Sequence, residues 1–241
     1  MICISFDTDH VREEFLQNFL ESYSIPGNAT FFLDRPYPSI NWHNHEVGPH
    51  PFVQNLDTFE NDFIAYVKKL NISPKGARAH SCVFSQMMAL QLKESGIEYI
   101  STTTPTGQKG LFPYRYSWGI WEMPIYYMDN MDMCMPVNWP TLNNYKIFDK
   151  KLITAAIHDP ASLYVFDFHP IHIMLNTTSF NNYQEIKGKI INDGENPANL
   201  AMPGYGVASF FSDLCKEMTK QSIQSKTMSE ALSIFKHRTN K

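Results

Sequence analysis

A short apolar run ending in carboxylates, ICISFDTDH at positions 2–10, is what most constrains the fold of this 241-residue chain. Ile2, Ile4 and Phe6 alternate with Cys3 and Ser5, which is strand periodicity. Val11, Phe15, Phe19 and Leu20 then follow at helical spacing, predicting a helix over 11–23. The pattern recurs. Strands are predicted at 29–33, 77–82, 99–101, 122–127 and 163–173, and helices at 59–70, 85–95, 208–218 and 229–235. Such alternation predicts an α/β architecture with a mainly parallel sheet or barrel, as one domain spanning 1–241. The polar, Asn-rich stretch 176–204 reads as a surface loop or insertion, and the aromatic, Pro-rich stretch 111–140 as rim loops.

Composition narrows the partners. A formal net charge of -4 and a pI near 6.1 argue against a broad nucleic-acid-binding or anionic-membrane surface. No apolar run is long enough to span a bilayer. Asp7 and Asp9 interrupt the N-terminal region, which does not read as a secretory leader. Cys3, Cys82, Cys134 and Cys215 form no CxxC pair and read as reduced, mostly buried thiols, so a cytoplasmic location is expected.

Four segments carry chemistry. Asp7 and Asp9, two apart at a strand end, share a face, where one carboxylate serves as a base while a metal holds the other; alternatively Asp9 caps the helix and Asp7 ends the strand. His50 follows Gly48 and Pro49 in a turn that holds its imidazole near a strand end, as a metal ligand or a hydrogen-bonded structural residue. His43 and His45 read as structural. Arg78 and His80 in ARAHSC also share a side, the arginine to orient a carboxylate and the histidine to reach a metal, with a surface ion pair and a packed histidine as the alternative. In FDFHPIHI, Asp167 and His169 share a face, and His172 points the other way unless Pro170 bends the chain. One of these histidines suits a general acid, the other a structural role.

The order and spacing of SFDTD, NATFFL (28–33), HEVGPHP, RAHS, EMP (122–124) and FHPIHI resemble the polysaccharide deacetylase family, also called the NodB-homology or carbohydrate esterase family 4 group. GPHPF, RAHS and FHPIHI resemble a branch associated with bacterial surface-polysaccharide gene clusters. The resemblance covers most of the chain. It implies a distorted (β/α) barrel of about seven strands, with the catalytic loops at the C-terminal strand ends. It also implies a metal-dependent hydrolase that removes an acetyl group from an N-acetylated sugar or glycan. Asp7 would be the base, His169 the general acid and Arg78 the residue orienting Asp7; Asp9 and His50 would hold a divalent metal, zinc or else nickel, cobalt or iron.

Two departures stand out. Thr8 separates aspartates that are usually adjacent, and Gln54 stands four residues after His50, where the resemblance calls for a second metal histidine. An amide is a poor zinc ligand, so His80 is the expected third ligand, with His172 behind it. Trp118, Trp121 and Tyr126 are candidates for stacking on sugar rings or for packing. The missing histidine also admits a non-catalytic glycan-binding module of the same fold. An amidase or deformylase acting on another C–N bond is the remaining alternative.

Overall fold

The computed structural model describes residues 1–55, 58–138 and 145–239. Its strands are β1 (Ile2–Asp7), β2 (Ala29–Leu33), β3 (Glu46–Pro49), β4 (Gly76–Ala77), β5 (Tyr99–Ile100), β6 (Tyr114–Arg115), β7 (Trp121–Glu122), β8 (Ile125–Met128) and β9 (Tyr164–Phe168). The helices are α1 (Glu13–Ser22), α2 (Phe59–Leu70), α3 (Gln86–Glu94), α4 (Asp129–Asn138), α5 (Lys151–Ile157), α6 (Pro170–Leu175), α7 (Phe180–Ile191), α8 (Val207–Lys220) and α9 (Met228–Thr239).

One sheet has the order β3-β2-β1-β9-β8 and is parallel throughout. In the other, β4-β5-β7-β6, only the β6–β7 pair is antiparallel. Backbone hydrogen bonds link the edges. Arg78 N–H donates to Pro49 C=O (3.2 Å) on one side, and Ile125 N–H to Thr103 C=O (2.8 Å) on the other. With the exposed antiparallel edge strand β6 set aside and β7 and β8 taken as one strand interrupted at Met123–Pro124, seven strand positions among the described residues surround the interior, an irregular (β/α) barrel whose ladder is not continuous.

Strand alternation sorts the side chains. Ile2, Ile4 and Phe6 of β1, Phe31 of β2 and Tyr164, Phe166 and Phe168 of β9 belong to the core shared with the surrounding helices. The Phe6 ring lies 4.7 Å from Phe31, 5.3 Å from Phe19 of α1 and 6.0 Å from Phe211 of α8. Helix α8 supplies Val207, Phe210, Phe211, Leu214 and Met218 from one stripe. Each fully buried ring or branched chain contributes roughly 1.5–3 kcal/mol. The opposite face of β1 is Cys3, then Ser5, then Asp7. Cys3 packs with Leu163, Val165 and Met228 of α9, while Ser5 and Asp7 meet polar partners.

Several expected boundaries move. The strand predicted at 163–173 ends at Phe168, because Pro170 has no N–H for a ladder and instead starts α6. The strand predicted at 77–82 is only Gly76–Ala77, and 122–127 is split at Pro124. The stretch 176–204 is not a loop: it contains α7, whose N-cap Ser179 accepts from the Asn182 N–H (3.2 Å). Its asparagines hid a helical spacing of Phe180, Tyr183, Ile186 and Ile190. All four cysteines are free, but only Cys3 is buried. Among the described residues no helix is long and apolar enough to cross a membrane.

Two glycines allow β3 and β4 to come together. A Cβ on Gly48 would lie 2.6 Å from the Gly76 carbonyl oxygen, and one on Gly76 would lie 1.9 Å from the Tyr99 ring. Tyr99 is fully buried, so the ring has little room to yield. Gly76→Ala is expected to lower the unfolding free energy by about 2 kcal/mol or more, read as a lower urea midpoint.

Candidate active site at the C-terminal strand ends

Asp7 is the last residue of β1, and the chain turns immediately after it. Thr8 points its hydroxyl away, donating to the Asp34 carboxylate (3.0 Å) and accepting from the Asp34 N–H (3.1 Å). Asp7 and Asp9 are thereby left to line one cavity of about 590 Å³ with His50, His80 and His169. The next residue, His10, takes a left-handed conformation (φ 61°), and Val11 N–H closes the turn onto Thr8 C=O (3.2 Å).

Asp9 is the hub. Its Oδ2 lies 3.0 Å from His80 Nδ1, 3.3 Å from His50 Nε2 and 3.7 Å from His169 Nε2. Burial disfavours its charge, but the hydrogen bonds from His50 and His80 outweigh that and hold its carboxyl well below the usual carboxylate range. The other oxygen, Oδ1, is buried with no hydrogen-bond partner among the described residues. His50 is fixed by its far nitrogen, Nδ1, which donates to the Arg78 carbonyl (2.9 Å), so Nε2 faces Asp9. His80 follows the short β4 and stacks on Phe52 (4.0 Å between centroids).

The donor atoms of Asp9, His50 and His80 all lie within 4.8 Å of one another. Two imidazole nitrogens and a carboxylate with an unpartnered buried oxygen fit a divalent cation such as zinc. Gln54 is exposed and does not line the cavity, and His172 stands behind His169.

Arg78 is fully buried beneath Asp7. Its guanidinium donates to Asp7 Oδ1 (2.9 Å) and to Asp167, and also to Ser5 Oγ (3.1 Å), Ser101 Oγ (2.9 Å) and the Ser101 carbonyl (2.9 Å). It lies 4.4 Å from the Phe32 ring centroid. Burial pushes the Asp167 carboxyl up despite Arg78.

His169 caps α6 and is gripped by Asp129, the first residue of α4. The Asp129 carboxylate accepts from His169 Nδ1 (2.7 Å) and from the His169 N–H (2.8 Å), leaving Nε2 toward the cavity. Burial opposes the imidazolium, but the Asp129 charge prevails and raises the His169 pKa to about 10. His172 is different. Burial pushes it down to about 4, and it packs edge-on against Tyr183 (4.5 Å) with Nδ1 3.1 Å from Thr177 Oγ1.

A family model for WbmS-like polysaccharide deacetylases matches residues 4–187. The chain belongs to this family. Among solved structures, the WbmS-like chain is similar to a Bordetella bronchiseptica protein assigned as a polysaccharide deacetylase involved in O-antigen biosynthesis. They share 20% identity over 89% of each chain, with a TM-score of 0.68, a likeness of fold. A Mycobacterium smegmatis protein assigned as a polysaccharide deacetylase matches at 19% identity over 94% of this chain and 92% of its own, with a TM-score of 0.49. No match was found among curated protein sequences.

In this WbmS-like chain Asp7, Asp9, His50, His80, Arg78 and His169 come together as one site, with Arg78 beneath it. The three aromatic candidates do not join them. Tyr126 is buried against Tyr164 and Phe166, Trp121 packs on Phe235, and the exposed Trp118 donates to Gln86; none lines the cavity. Sequence reasoning passed over Asp129, although a carboxylate directly after the apolar run IYYM was its signal. It also passed over the α7 residues that line the cavity.

The Asp129–His169 pair yields a pH prediction. A histidine pKa raised from 6.5 to about 10 adds stability that is complete below about 6.5 and is lost as pH rises through about 10. In metal-free protein the urea-midpoint gap between wild type and Asp129→Asn is therefore expected to narrow between pH 6 and pH 10. The His169 ring resonances should titrate more than one pH unit lower in the variant.

Proposed function

We propose that this member of the polysaccharide deacetylase family is a divalent-metal-dependent hydrolase that removes the acetyl group from an N-acetylated sugar or glycan intermediate. The observation that carries the reading is the meeting, in one cavity, of Asp9 with its unpartnered oxygen, a second carboxylate at Asp7 and an Asp129-held His169. Asp9, His50 and His80 would hold the cation. When bound there, zinc or a similar ion supplies electrophilic polarisation of an acyl carbonyl and acidifies water.

The remaining roles belong to the chain. Asp7 takes a proton from the attacking water, its carboxylate fixed in direction by Arg78 Nη1. His169 carries its proton on the cavity-facing Nε2 and gives it to the departing amine, while Asp129 stabilises the imidazolium. Two groups of opposite task are thus set by their neighbours: a carboxylate over a guanidinium and an imidazolium over a carboxylate. The O-antigen role of the Bordetella protein supports a surface-glycan intermediate as substrate.

Purified protein is expected to carry about one equivalent of divalent metal by elemental analysis, and Asp9→Ala to lose it. Acetate release from N-acetylated sugars, sugar phosphates and oligosaccharides is expected from metal-loaded wild type. Asp7→Asn should retain the metal and lose about 10²-fold or more in kcat. Undiminished release by Asp7→Asn would remove Asp7 as the base. A protein that binds metal but releases no acetate from any of these would overturn the deacetylase assignment.

A further inference from the structure

One wall of the cavity is not used by the chemistry above. Phe180, Tyr183, Gln184 and Lys187 of helix α7, its i, i+3, i+4, i+7 face, line the cavity, Phe180 and Tyr183 also packing with the main core alongside Ile186 and Ile190. The wall is anchored to the reaction end through rings. Tyr183 meets His172 edge-on at 4.5 Å, and His172 lies 5.3 Å from His169.

Lys187 sits half-buried on this face, with Nζ 5.8 Å from the Tyr183 ring centroid. Among the described residues Lys187 has no carboxylate partner, and it is the lysine that lines this cavity. The two cavity carboxylates are already engaged, Asp7 by Arg78 and Asp9 by His50 and His80. An ammonium on a half-buried lysine, beside an aromatic ring and with no carboxylate paired to it among the described residues, is available to an anion brought by the substrate.

We propose that Lys187 is a specificity-determining residue and that the substrate is an N-acetylated sugar bearing an anionic group, a uronate carboxylate or a phosphate ester. The anion pairs with Lys187 at the α7 wall while the acetamide lies at Asp7 and Asp9. This inference rests on the deacetylase reading and deepens it.

The test uses metal-loaded wild type, Lys187→Gln and Lys187→Arg with three probes built on one sugar: the methyl glycoside of the N-acetylhexosamine, the corresponding uronic acid and the 1-phosphate. Wild type is expected to show kcat/KM about tenfold or more higher for one anionic probe than for the neutral glycoside. Whichever anionic probe leads distinguishes carboxylate from phosphate. Lys187→Gln should erase the preference through KM with kcat preserved, Lys187→Arg should keep it, and added salt should shrink it. Equal turnover of neutral and anionic probes, or an equal loss on all three in Lys187→Gln, overturns this inference and leaves the deacetylase reading standing. Absence of acetate from every probe overturns the deacetylase reading, and this inference with it.

Discussion

The buried guanidinium of Arg78 is the interaction on which the site depends. It stands where three strands bring polar side chains inward, and it joins Ser5 and Asp7 of β1, Asp167 of β9 and Ser101 after β5. Removing one partner of such a pair typically costs about 3–5 kcal/mol, because the remaining charge stays buried. Here one cation faces two carboxylates, and the second oxygen of Asp167 has no hydrogen-bond partner among the described residues. The arrangement is not the cheapest way to fill a barrel interior. It does give Asp7 one orientation at the edge of the cavity, and the neighbouring histidine is tied to the same residue, since His50 donates to the Arg78 carbonyl. Arginine side chain and arginine backbone thus position one carboxylate and one imidazole together.

Much of this was legible in the sequence because it follows from local rules. The period of two in ICISFD predicts which residues of β1 face the helices and which face inward, and the structure follows it residue by residue. The ordered motifs at the strand ends brought Asp7, Asp9, His50, Arg78 and His169 under suspicion before any distance was known. His80 was read beside Arg78 in ARAHSC as able to reach a metal, and the mismatch at Gln54 then made it the expected third ligand, although its partner Asp9 is 71 positions away in the chain.

What escaped was set by tertiary contact or by a local break in pattern. Asp129 matters because His169, forty residues later, folds back onto it, and no spacing rule links the two. The helix start at Pro170 was missed, but the bend foreseen there as the condition on His172 does occur, and His172 stands behind His169. Helix α7 was masked by its asparagines, and with it went the whole α7 wall of the cavity. For Tyr126 and Trp121 the sequence left stacking on sugars and packing open, and the structure takes the second, their rings being spent on neighbouring rings.

The alternation along β1 has a further consequence. Its inward residues pass from a thiol among apolar neighbours, through a hydroxyl, to a carboxylate at the mouth, so a single strand carries the gradient from oily floor to hydrated opening. A slip of one residue in pairing would exchange the two sets, driving phenylalanine into the mouth and aspartate under the helices. Misregistration would therefore strand a charge in grease at the same moment that it emptied the site. Burial of the phenylalanines and assembly of the site depend on the same register of this one strand.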